Sequence, residues 1–363
     1  MPVSIPYMQI RGGSSKGVFF NAKDLPANEE GRDKVILAAM EGVEPGDPRQ
    51  IDGLGGADSL TAKVGILSPT TRKEADIDYL FLQVVIGQGR LSASQNCGNI
   101  LAGVLPYAIE SGLIKATHPT TSATIHMLNS GGLCEVIVQT PNKELIFEGT
   151  AKVDGVMGTG APIICSYLDI AGANCGALLP TGNAIDTVDG IEVSCVDNGM
   201  PVVNLRASDF GITGYESKAE LDANKELKKR LESIRLQIGP KMNLGDVSQK
   251  TVPKMSLLSP PRNGGLVNTR TFIPHVCHAA IGVLGAVSAA TGCIIPGSVA
   301  EGIADIPTDF SALSVEHPSG QFSVSLTAKF EGEKLIISKS GTVRTARIIS
   351  KGEVFIPKIN KFS

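Results

Sequence analysis

The 363-residue sequence has no tryptophan and few aromatic residues, which make up 4% of the chain. It has no apolar run near the roughly 20 residues that span a bilayer. Its first residues, MPVSIPYMQIRGG, lack the basic and apolar regions of a signal peptide. The formal net charge of −3 is too small, and of the wrong sign, for a nucleic-acid-binding surface. These absences predict a cytoplasmic protein without nucleic-acid or membrane partners.

The cysteines do not form the pattern of a disulfide framework or a metal site. The chain has seven of them, an odd and scattered set that argues against disulfide pairing. The segment PHVCH, residues 274–278, places His275 and His278 on either side of Cys277, but no second cluster of ligands accompanies it. We therefore expect no metal site.

Turn-forming residues are abundant, with 41 glycines and 21 prolines. Together with a hydrophobic fraction of 42%, they predict many short strands joined by tight turns around a sizeable core. The alternating strand–helix units of a doubly wound nucleotide-binding domain are not present. GLGGAD, residues 53–58, lacks the third glycine and the preceding strand of a dinucleotide-binding motif.

The sequence repeats itself once, and four blocks of its first half recur in the same order roughly 180 to 190 residues later. They are IRGG with VDNG, KVGILSP with KMSLLSP, CGNILAGVLPYAIESGLI with CHAAIGVLGAVSAATGCI, and KELI with EKLI. In this alignment Cys97 matches Cys277, and Gly112 matches Gly292. Two copies indicate a duplicated domain rather than a solenoid of many repeats.

Each half is predicted to contain a central apolar helix and several strands, including CEVIVQT with ELIFEG in the first half. The expected fold class is α/β in the α+β sense, with two duplicated lobes. Each lobe would be a curved mixed or antiparallel sheet wrapped around its helix. We expect the first lobe at residues 1–183 and the second at 184–350, with a last strand in 351–363 returning to the first lobe.

Cys97 stands where the central helix of the first half begins. Free backbone N–H groups and the helix dipole stabilise a thiolate there, and the amides of Asn96, Gly98 and Asn99 can bind a ligand carboxylate. A lone cysteine is more often an inert core residue, but the match with Cys277 favours a function. Two such helix starts facing a cleft between the halves would place two thiols that exchange protons with carbon.

Lys63 and Lys254 form a second matched pair, each at the start of an apolar strand. A lysine at such a position usually extends to water. A functional lysine would clamp a carboxylate or act as a base whose pKa is lowered by burial. Lys63 is the stronger candidate, since the glycines of DGLGGADSLTAK, residues 52–63, suit close approach of a substrate.

Two further segments carry cations. RGGSSKG, residues 11–17, combines two hydroxyls, two cations and three glycines, and is either an anion cradle or a surface turn. Its spacing is not that of a P-loop. RTAR, residues 344–347, supplies either a carboxylate-binding arginine or a charged edge strand.

Five segments in combination resemble the motifs of the PrpF-like isomerase family over nearly the whole chain. They are RGGSSKG, QIDGLGGADSLTAK, QNCGNILAGV, DNGMPVV and PHVCH. The resemblance implies a fold similar to that of diaminopimelate epimerase. It also implies proton transfer on an unsaturated tricarboxylate, by keto–enol tautomerisation or a 1,3-allylic shift. The expected substrate is 4-oxalomesaconate, from gallate and other aromatic-acid breakdown. The alternatives are isomerisation of 2-methylaconitate or methylitaconate, and a non-catalytic polycarboxylate-binding protein.

The resemblance assigns proton transfer to Lys63 and Cys97 and leaves open which of them removes the proton. Cys277 and His278 are candidates for a catalytic or substrate-binding role, because VCHAA departs from the second cysteine motif of the epimerases. The other predicted substrate-binding residues are Arg11, Ser14, Ser15, Asn96, Gly98, Asn99, Asn198, Met200, Lys254, Arg270 and Arg344. No cofactor is implied, the partner is a small polycarboxylate, and a homodimer is left open.

Overall fold

The computed structural model describes residues 3–42, 46–93, 97–332 and 334–356. Its chain divides into two units. The first unit is Met1–Cys165 together with Val343–Ser363, and the second is Ser166–Thr342. Both ends of the chain therefore contribute to the first unit.

Strands outnumber helices in the described ranges, as the abundance of turn formers predicts. In chain order the strands are β1 (Val3–Gly12), β2 (Ser15–Asn21), β3 (Lys63–Pro69), β4 (Ile77–Val85), β5 (Arg90–Ser92), β6 (Thr120–Met127), β7 (Gly132–Gln139), β8 (Ile163–Tyr167), β9 (Asp186–Val188), β10 (Ile191–Asp197), β11 (Pro201–Arg206), β12 (Lys254–Ser259), β13 (Val267–Phe272), β14 (Leu313–His317), β15 (Gly320–Glu331), β16 (Lys334–Arg344) and β17 (Ala346–Ile356). The helices are α1 (Glu29–Glu41), α2 (Gly98–Leu101), α3 (Val104–Glu110), α4 (Lys218–Ala223), α5 (Lys225–Lys241) and α6 (Val283–Cys293).

The two units share one pattern of strand pairing. In the first unit β1–β2 is antiparallel, β2–β3 parallel, β3–β4 antiparallel, β4–β6 parallel and β6–β7 antiparallel. The second unit shows the same alternation of directions along the pairs β10–β11, β11–β12, β12–β13, β13–β14 and β14–β15. The same order of directions in both units confirms the predicted duplication and the predicted mixed sheets.

The strand register shows which residues are equivalent in the two copies. In the first unit Ile10 pairs with Gly17, and Gly17 pairs with Lys63. In the second unit Val196 pairs with Val202, which pairs with Lys254. The two lysines therefore occupy the same place in their sheets, as the matched KVGILSP and KMSLLSP blocks predict.

A central helix packs on each sheet, α2 and α3 in the first unit and α6 in the second. A Cβ on Gly103, between α2 and α3, would lie 2.7 Å from the ring of Phe19 and 3.2 Å from Ile10. A Cβ on Gly292 in α6 would lie 2.1 Å from the amide nitrogen of Asn204. Both glycines let the helix backbone approach β2 or its counterpart β11.

The predicted match of Gly112 with Gly292 is therefore wrong, because Gly103 occupies the equivalent place. Gly112 instead follows the end of α3 with a φ of 75°. Both central helices are almost wholly apolar, so a shift of several residues still aligns apolar side chains with one another. Identities within such helices do not determine their register.

The outer helices add a second layer of core. Asn28 caps α1 by accepting a hydrogen bond from the backbone of Gly31 at 2.7 Å, and Asn224 caps α5 in the same way. The apolar face of α5 buries Leu227, Leu231, Ile234 and Ile238. Across the described residues, no helix is both long enough and apolar enough to cross a membrane.

The first unit ends earlier than the expected boundary at residue 183, because the following segment bonds to the second unit. The backbone N–H groups of Asn174 and Cys175 each donate to the carboxylate of Asp197 at 2.7 Å. The N–H of Asp197 in turn donates to the carbonyl of Leu178. This network attaches the segment to the end of β10.

The C-terminal part of the first unit starts earlier than the expected residue 351. β17 pairs antiparallel with β1 along its length, from Ala346 opposite Gly12 to Ile356 opposite Val3. The predicted strand ELIFEG is wrong: the chain turns just before it, at Asn142 and Lys143, and residues 144–149 form no strand. Glu333 of its proposed counterpart EKLI lies outside the described residues.

Arg235 anchors the segment that leads into β12. Its side chain is fully buried, and its Nη1 donates to the carbonyls of Val247, Lys250 and Val252 at 2.9 to 3.1 Å. Its Nε and Nη2 donate to the two carboxylate oxygens of Glu232. The bidentate pair orients the guanidinium towards the three carbonyls.

We expect Arg235→Leu to lower the free energy of unfolding by about 3–5 kcal/mol, because it leaves three carbonyls and one carboxylate without their donor. Urea denaturation followed by circular dichroism measures the change. Lys229→Leu, at an exposed position of the same helix, should alter stability by less than about 0.5 kcal/mol. Equal effects of the two substitutions would contradict this account of Arg235.

Candidate functional site

Cys97 is the N-cap of α2 in the first unit. Its backbone is extended, with φ −126° and ψ 104°, and its carbonyl accepts the first helical hydrogen bond, from the N–H of Leu101 at 3.0 Å. The predicted helix start is therefore present. The N-cap places the thiol beside the unsatisfied N–H groups of the first turn, the position at which sequence reasoning expects it.

The seven cysteines all lie in the described ranges, all are free thiols, and only Cys97 is partly exposed. Burial raises the pKa values of Cys165, Cys175 and Cys293 to about 12 each. The pKa values of Cys134 and Cys195 are also raised by burial. These thiols are protonated at neutral pH, which leaves Cys97 as the accessible one.

Cys277 is not the counterpart of Cys97, so that part of the alignment is wrong. It forms an isolated bridge with Phe272, five residues ahead of Gly282, the N-cap of α6. Its thiol is buried, and burial followed by the charge of Asp222 raises its pKa to about 11. Its backbone N–H donates to Asp222 at 2.7 Å. The N-cap of the second central helix is therefore Gly282 and not Cys277.

Two serines and Asn99 form a polar cluster at the turn between β1 and β2. The side-chain amide nitrogen of Asn99 lies 3.1 Å from the Ser14 hydroxyl and 3.3 Å from the Ser15 hydroxyl. A Cβ on Gly12 would lie 2.2 Å from the Asn99 carbonyl oxygen, and one on Gly13 equally close to its side-chain oxygen. The predicted residues of RGGSSKG and QNCGN thus meet, and they do so because the turn carries no side chain at these two positions.

Lys63 lies at the start of β3 and is 7% exposed. Its Nζ donates to Oε1 of Gln83 at 2.7 Å and lies 5.5 Å from the centre of the Phe81 ring. Among the described residues it forms no ion pair with a carboxylate. A buried ammonium bonded to neutral groups can still pair with an anion.

Gly17 links Lys63 to the start of α2. A Cβ on this glycine would lie 3.1 Å from the Lys63 carbonyl oxygen and 3.0 Å from the side chain of Ile100. The strand that carries Lys63 and the helix turn that follows Cys97 therefore both pack on the same residue of β2. The two predicted proton-transfer residues belong to adjoining elements of one unit.

Lys254 and His278 are neighbours in the second unit. Partial burial, then the charge of Arg235, lowers the pKa of Lys254, whose Nζ donates to the Thr251 carbonyl at 2.6 Å. Burial, then the charges of Lys254 and Lys218, lowers the pKa of His278, so its imidazole is neutral at pH 7. The histidine Nδ1 accepts a hydrogen bond from the backbone of Ala280 at 2.9 Å. The structure therefore brings these two predicted residues together.

The three predicted arginines are bonded within their own units. Arg11 Nη1 donates to the carbonyls of Gly13 and Thr345, and burial with the nearby charge of Arg347 lowers the pKa of Arg11. Arg270 is 7% exposed and donates to the carbonyls of Glu216 and Thr269. Arg344 is 3% exposed and donates to the carbonyl of Val343. These contacts support the backbone around the site.

Asn198 is fully buried in the second unit, and its amide nitrogen donates to the hydroxyls of Thr291 and Ser340 at 2.9 and 2.8 Å. The backbone carbonyl of Met200 accepts a hydrogen bond from Ser288. Both predicted substrate contacts thus have internal partners. Asn96, another predicted contact, lies outside the described residues.

The glycines ahead of Lys63 pack closely against their own chain. A Cβ on Gly53 would lie 2.2 Å from the carbonyl oxygen of Met40, and one on Gly55 equally close to Oε1 of Gln50. They let the loop fold onto the end of α1. The residues that sequence reasoning missed are Gln83 and Phe81, which lie on the neighbouring strand β4; only the pairing of β3 with β4 identifies them.

No group of three or more His, Cys, Asp or Glu side chains in the described ranges is arranged to bind a metal ion. In PHVCH, the Cys277 thiol is buried and lies within hydrogen-bond distance of the His278 carbonyl. The Nδ1 atom of the neighbouring His278 accepts a hydrogen bond from the backbone N–H of Ala280. The segment is thus engaged with its own backbone.

Comparison with known proteins places this arrangement among isomerases. The PrpF protein family matches residues 2–357. A 4-oxalomesaconate tautomerase of Pseudomonas putida is 54% identical over 353 residues, 97% of this chain and 96% of that protein. A (4E)-oxalomesaconate Delta-isomerase of Novosphingobium sp. strain KA1 is 51% identical over 354 residues, 97% and 98% of the two chains.

Solved structures show the same fold. A methylitaconate-delta-isomerase matches with a TM-score of 0.87 and 32% identity, over 100% of this chain and 98% of that one. A hydroxyproline epimerase from Agrobacterium vitis, at 13% identity, matches with a TM-score of 0.52 over 99% and 95% of the two chains. The second likeness concerns the fold alone, and it confirms the expected epimerase-like architecture.

We expect a thiol reagent to label folded protein at Cys97 and at no other cysteine near pH 8. The other thiols are buried, and the pKa of Cys277 near 11 keeps that thiol protonated at this pH. Iodoacetamide labelling followed by peptide mass spectrometry measures the sites. Cys97→Ser should abolish labelling, whereas Cys277→Ser should leave it unchanged. Rapid labelling of Cys277 in folded protein would refute the burial described above.

Proposed function

The chain belongs to the PrpF family, and we propose that it is an isomerase that transfers a proton on an unsaturated tricarboxylate without a cofactor. The substrate of this proposal is 4-oxalomesaconate, the compound named for the two relatives that are 54% and 51% identical. The observation that carries the chemistry is the buried ammonium of Lys63, which has a neutral partner, in the unit that presents the accessible thiol.

The reaction requires a proton to leave a carbon atom next to a carbonyl or a conjugated carboxylate. Such a proton is weakly acidic, because the negative charge must spread into an enolate. An enzyme lowers the barrier by placing hydrogen-bond donors and cations where that charge develops. A second group then returns a proton to the other end of the conjugated system, on oxygen or on carbon.

Lys63 and Cys97 carry these two transfers in our proposal. Lys63 is buried, donates to a neutral side-chain amide and pairs with no carboxylate in the described ranges, so no internal anion competes with the substrate for its amine. Cys97 lies at a helix N-cap and is the partly exposed thiol, so a substrate can reach its sulfur. One group can therefore accept a proton while the other donates one.

The cluster of Ser14, Ser15 and Asn99 would bind a substrate carboxylate or the enolate oxygen. Its hydroxyl groups can donate to an anion, and Asn99 lies in the first turn of the helix that follows Cys97. The backbone N–H groups of Gly98 and Asn99 have no helical acceptor and would add two donors. The other predicted contacts, Arg11 and Arg344 in the first unit and those in the second, remain part of the proposal.

Isomerisation of methylitaconate is the second candidate, because the methylitaconate-delta-isomerase structure covers the entire chain at a TM-score of 0.87. Its identity of 32% is well below the 54% of the tautomerase relative. We therefore rank it second. The proposed compartment is the cytoplasm, where seven free thiols would stay reduced.

The substrate is tested by mixing the purified protein with 4-oxalomesaconate and following the ultraviolet absorbance of the enol and keto forms. We expect conversion well above the rate in buffer, with incorporation of deuterium from D₂O at the carbon that exchanges its proton. The value of kcat/KM should exceed that for methylitaconate. No conversion above buffer would reject the proposal, and binding without conversion would favour the polycarboxylate-binding alternative.

We expect Lys63→Met and Cys97→Ser each to lower kcat by about 10²- to 10⁴-fold, the usual contribution of a proton-transfer group. Isothermal titration calorimetry should show that the Cys97→Ser variant still binds the substrate. Lys34→Met, at an exposed position of α1, is the matched control and should retain full activity. Full turnover by the Lys63→Met variant would remove Lys63 from the mechanism.

A further inference from the structure

We propose that Gln83 is the positioning residue of Lys63. It provides a neutral acceptor that orients the amine without the negative charge of a carboxylate. This inference rests on the proposed function, in which Lys63 transfers a proton. It assigns a role to a residue that neither the motifs nor the family resemblance indicates.

The orientation of the Gln83 amide follows from its surroundings. Its Nε2 lies 2.9 Å from the carbonyl oxygen of Ala62, 3.2 Å from that of Val84 and 3.3 Å from that of Ser59. An amide nitrogen donates to carbonyls, whereas an amide oxygen facing three carbonyls would be repelled. The oxygen must therefore face the other way, and it accepts from Lys63 Nζ at 2.7 Å.

This neutral acceptor serves both protonation states of the lysine. An ammonium and a neutral amine can each donate one N–H to Oε1 of Gln83, so the nitrogen stays in place when the proton leaves. A carboxylate at the same position would stabilise the ammonium and oppose that loss. The Phe81 ring, 5.5 Å from Nζ, adds a weak attraction to the charged form without a formal charge.

The second unit lacks this arrangement although its strands have the same register. Lys63 pairs with Gln83 across β3 and β4, and Gly65 pairs with Phe81. In the second unit Ser256 is equivalent to Gly65, and its cross-strand partner is Thr271. Thr271 therefore occupies the position of Phe81, so this position carries no aromatic ring. Lys254 donates to the carbonyl of Thr251 instead of a cross-strand side chain. Of the two equivalent lysines, only Lys63 has a side-chain amide as its acceptor.

The test measures the pKa of Lys63 directly, by NMR of protein labelled with ¹⁵Nζ-lysine. The Lys63 signal is identified as the one missing from the Lys63→Met spectrum. We expect Gln83→Met to lower this pKa by about one unit, since the ammonium loses its acceptor. Gln83→Glu should raise it by about one unit, because it adds a negative charge beside the ammonium.

The same variants should shift the rate. Gln83→Met should lower kcat about 10- to 100-fold with KM changed less than about threefold, as expected when orientation of a reacting group is lost. Gln83→Glu should move the rising limb of the kcat/KM–pH profile to higher pH. Gln88→Met, at an exposed turn position after β4, is the control and should change neither the pKa of Lys63 nor the rate.

Opposite pKa shifts in the two Gln83 variants would establish the positioning role, since a purely structural role predicts no such reversal. An unchanged pKa of Lys63 in the folded Gln83 variants would overturn the proposal. If Gln83→Met fails to fold, Gln83→Leu takes its place in both the pKa and the rate measurements. No conversion of 4-oxalomesaconate above buffer would refute the proposed function, and the NMR titration would still report whether Gln83 controls the pKa of Lys63.

Discussion

The close contact between the β1–β2 turn and the first turn of α2 organises the polar residues of the first unit. At Gly12 and Gly13 a single added carbon would lie 2.2 Å from atoms of Asn99, so only glycine permits the contact. This approach brings the Asn99 amide to the hydroxyls of Ser14 and Ser15. It also sets the position of the N-cap two residues earlier, where Cys97 lies. A side chain in the turn would displace the hydroxyls and the helix start together.

Duplication produced two sheets with the same strand directions and register, but the chemistry of the two copies differs. Lys63 and Lys254 occupy equivalent places, yet one donates to a side-chain amide and the other to a backbone carbonyl. The central helix of the first copy begins at an accessible thiol, whereas the N-cap of the second is Gly282. Equivalent backbone positions therefore do not imply equivalent functions, because side chains on neighbouring strands determine how each lysine is solvated.

The arginines and Lys63 use burial in different ways. Arg235 is fully buried and satisfied by a carboxylate and three carbonyls, so its charge stabilises the segment that enters β12. Arg11 and Arg270 likewise donate to groups of their own units. Lys63 is also buried, but its Nζ donates to a neutral amide and to no carboxylate in the described ranges. The arginines thus have their partners within the fold, whereas Lys63 has a neutral partner, as the proposed function requires.

The sequence alone predicted the duplication, the strands that begin at Lys63 and Lys254, and the helix that begins after Cys97, because local periodicity and repeated blocks encode these features. It also carried the family resemblance in its motifs. The alignment of the two sequence repeats wrongly matched Cys277 with Cys97 and Gly112 with Gly292. Two nearly uniform apolar helices can be aligned at several registers, so their identities do not select one. Only the tertiary structure determined that the Gly53 loop packs on α1 and that Gln83 faces Lys63. These contacts join residues on different elements, and they depend on strand register and close packing, which spacing along the chain does not specify.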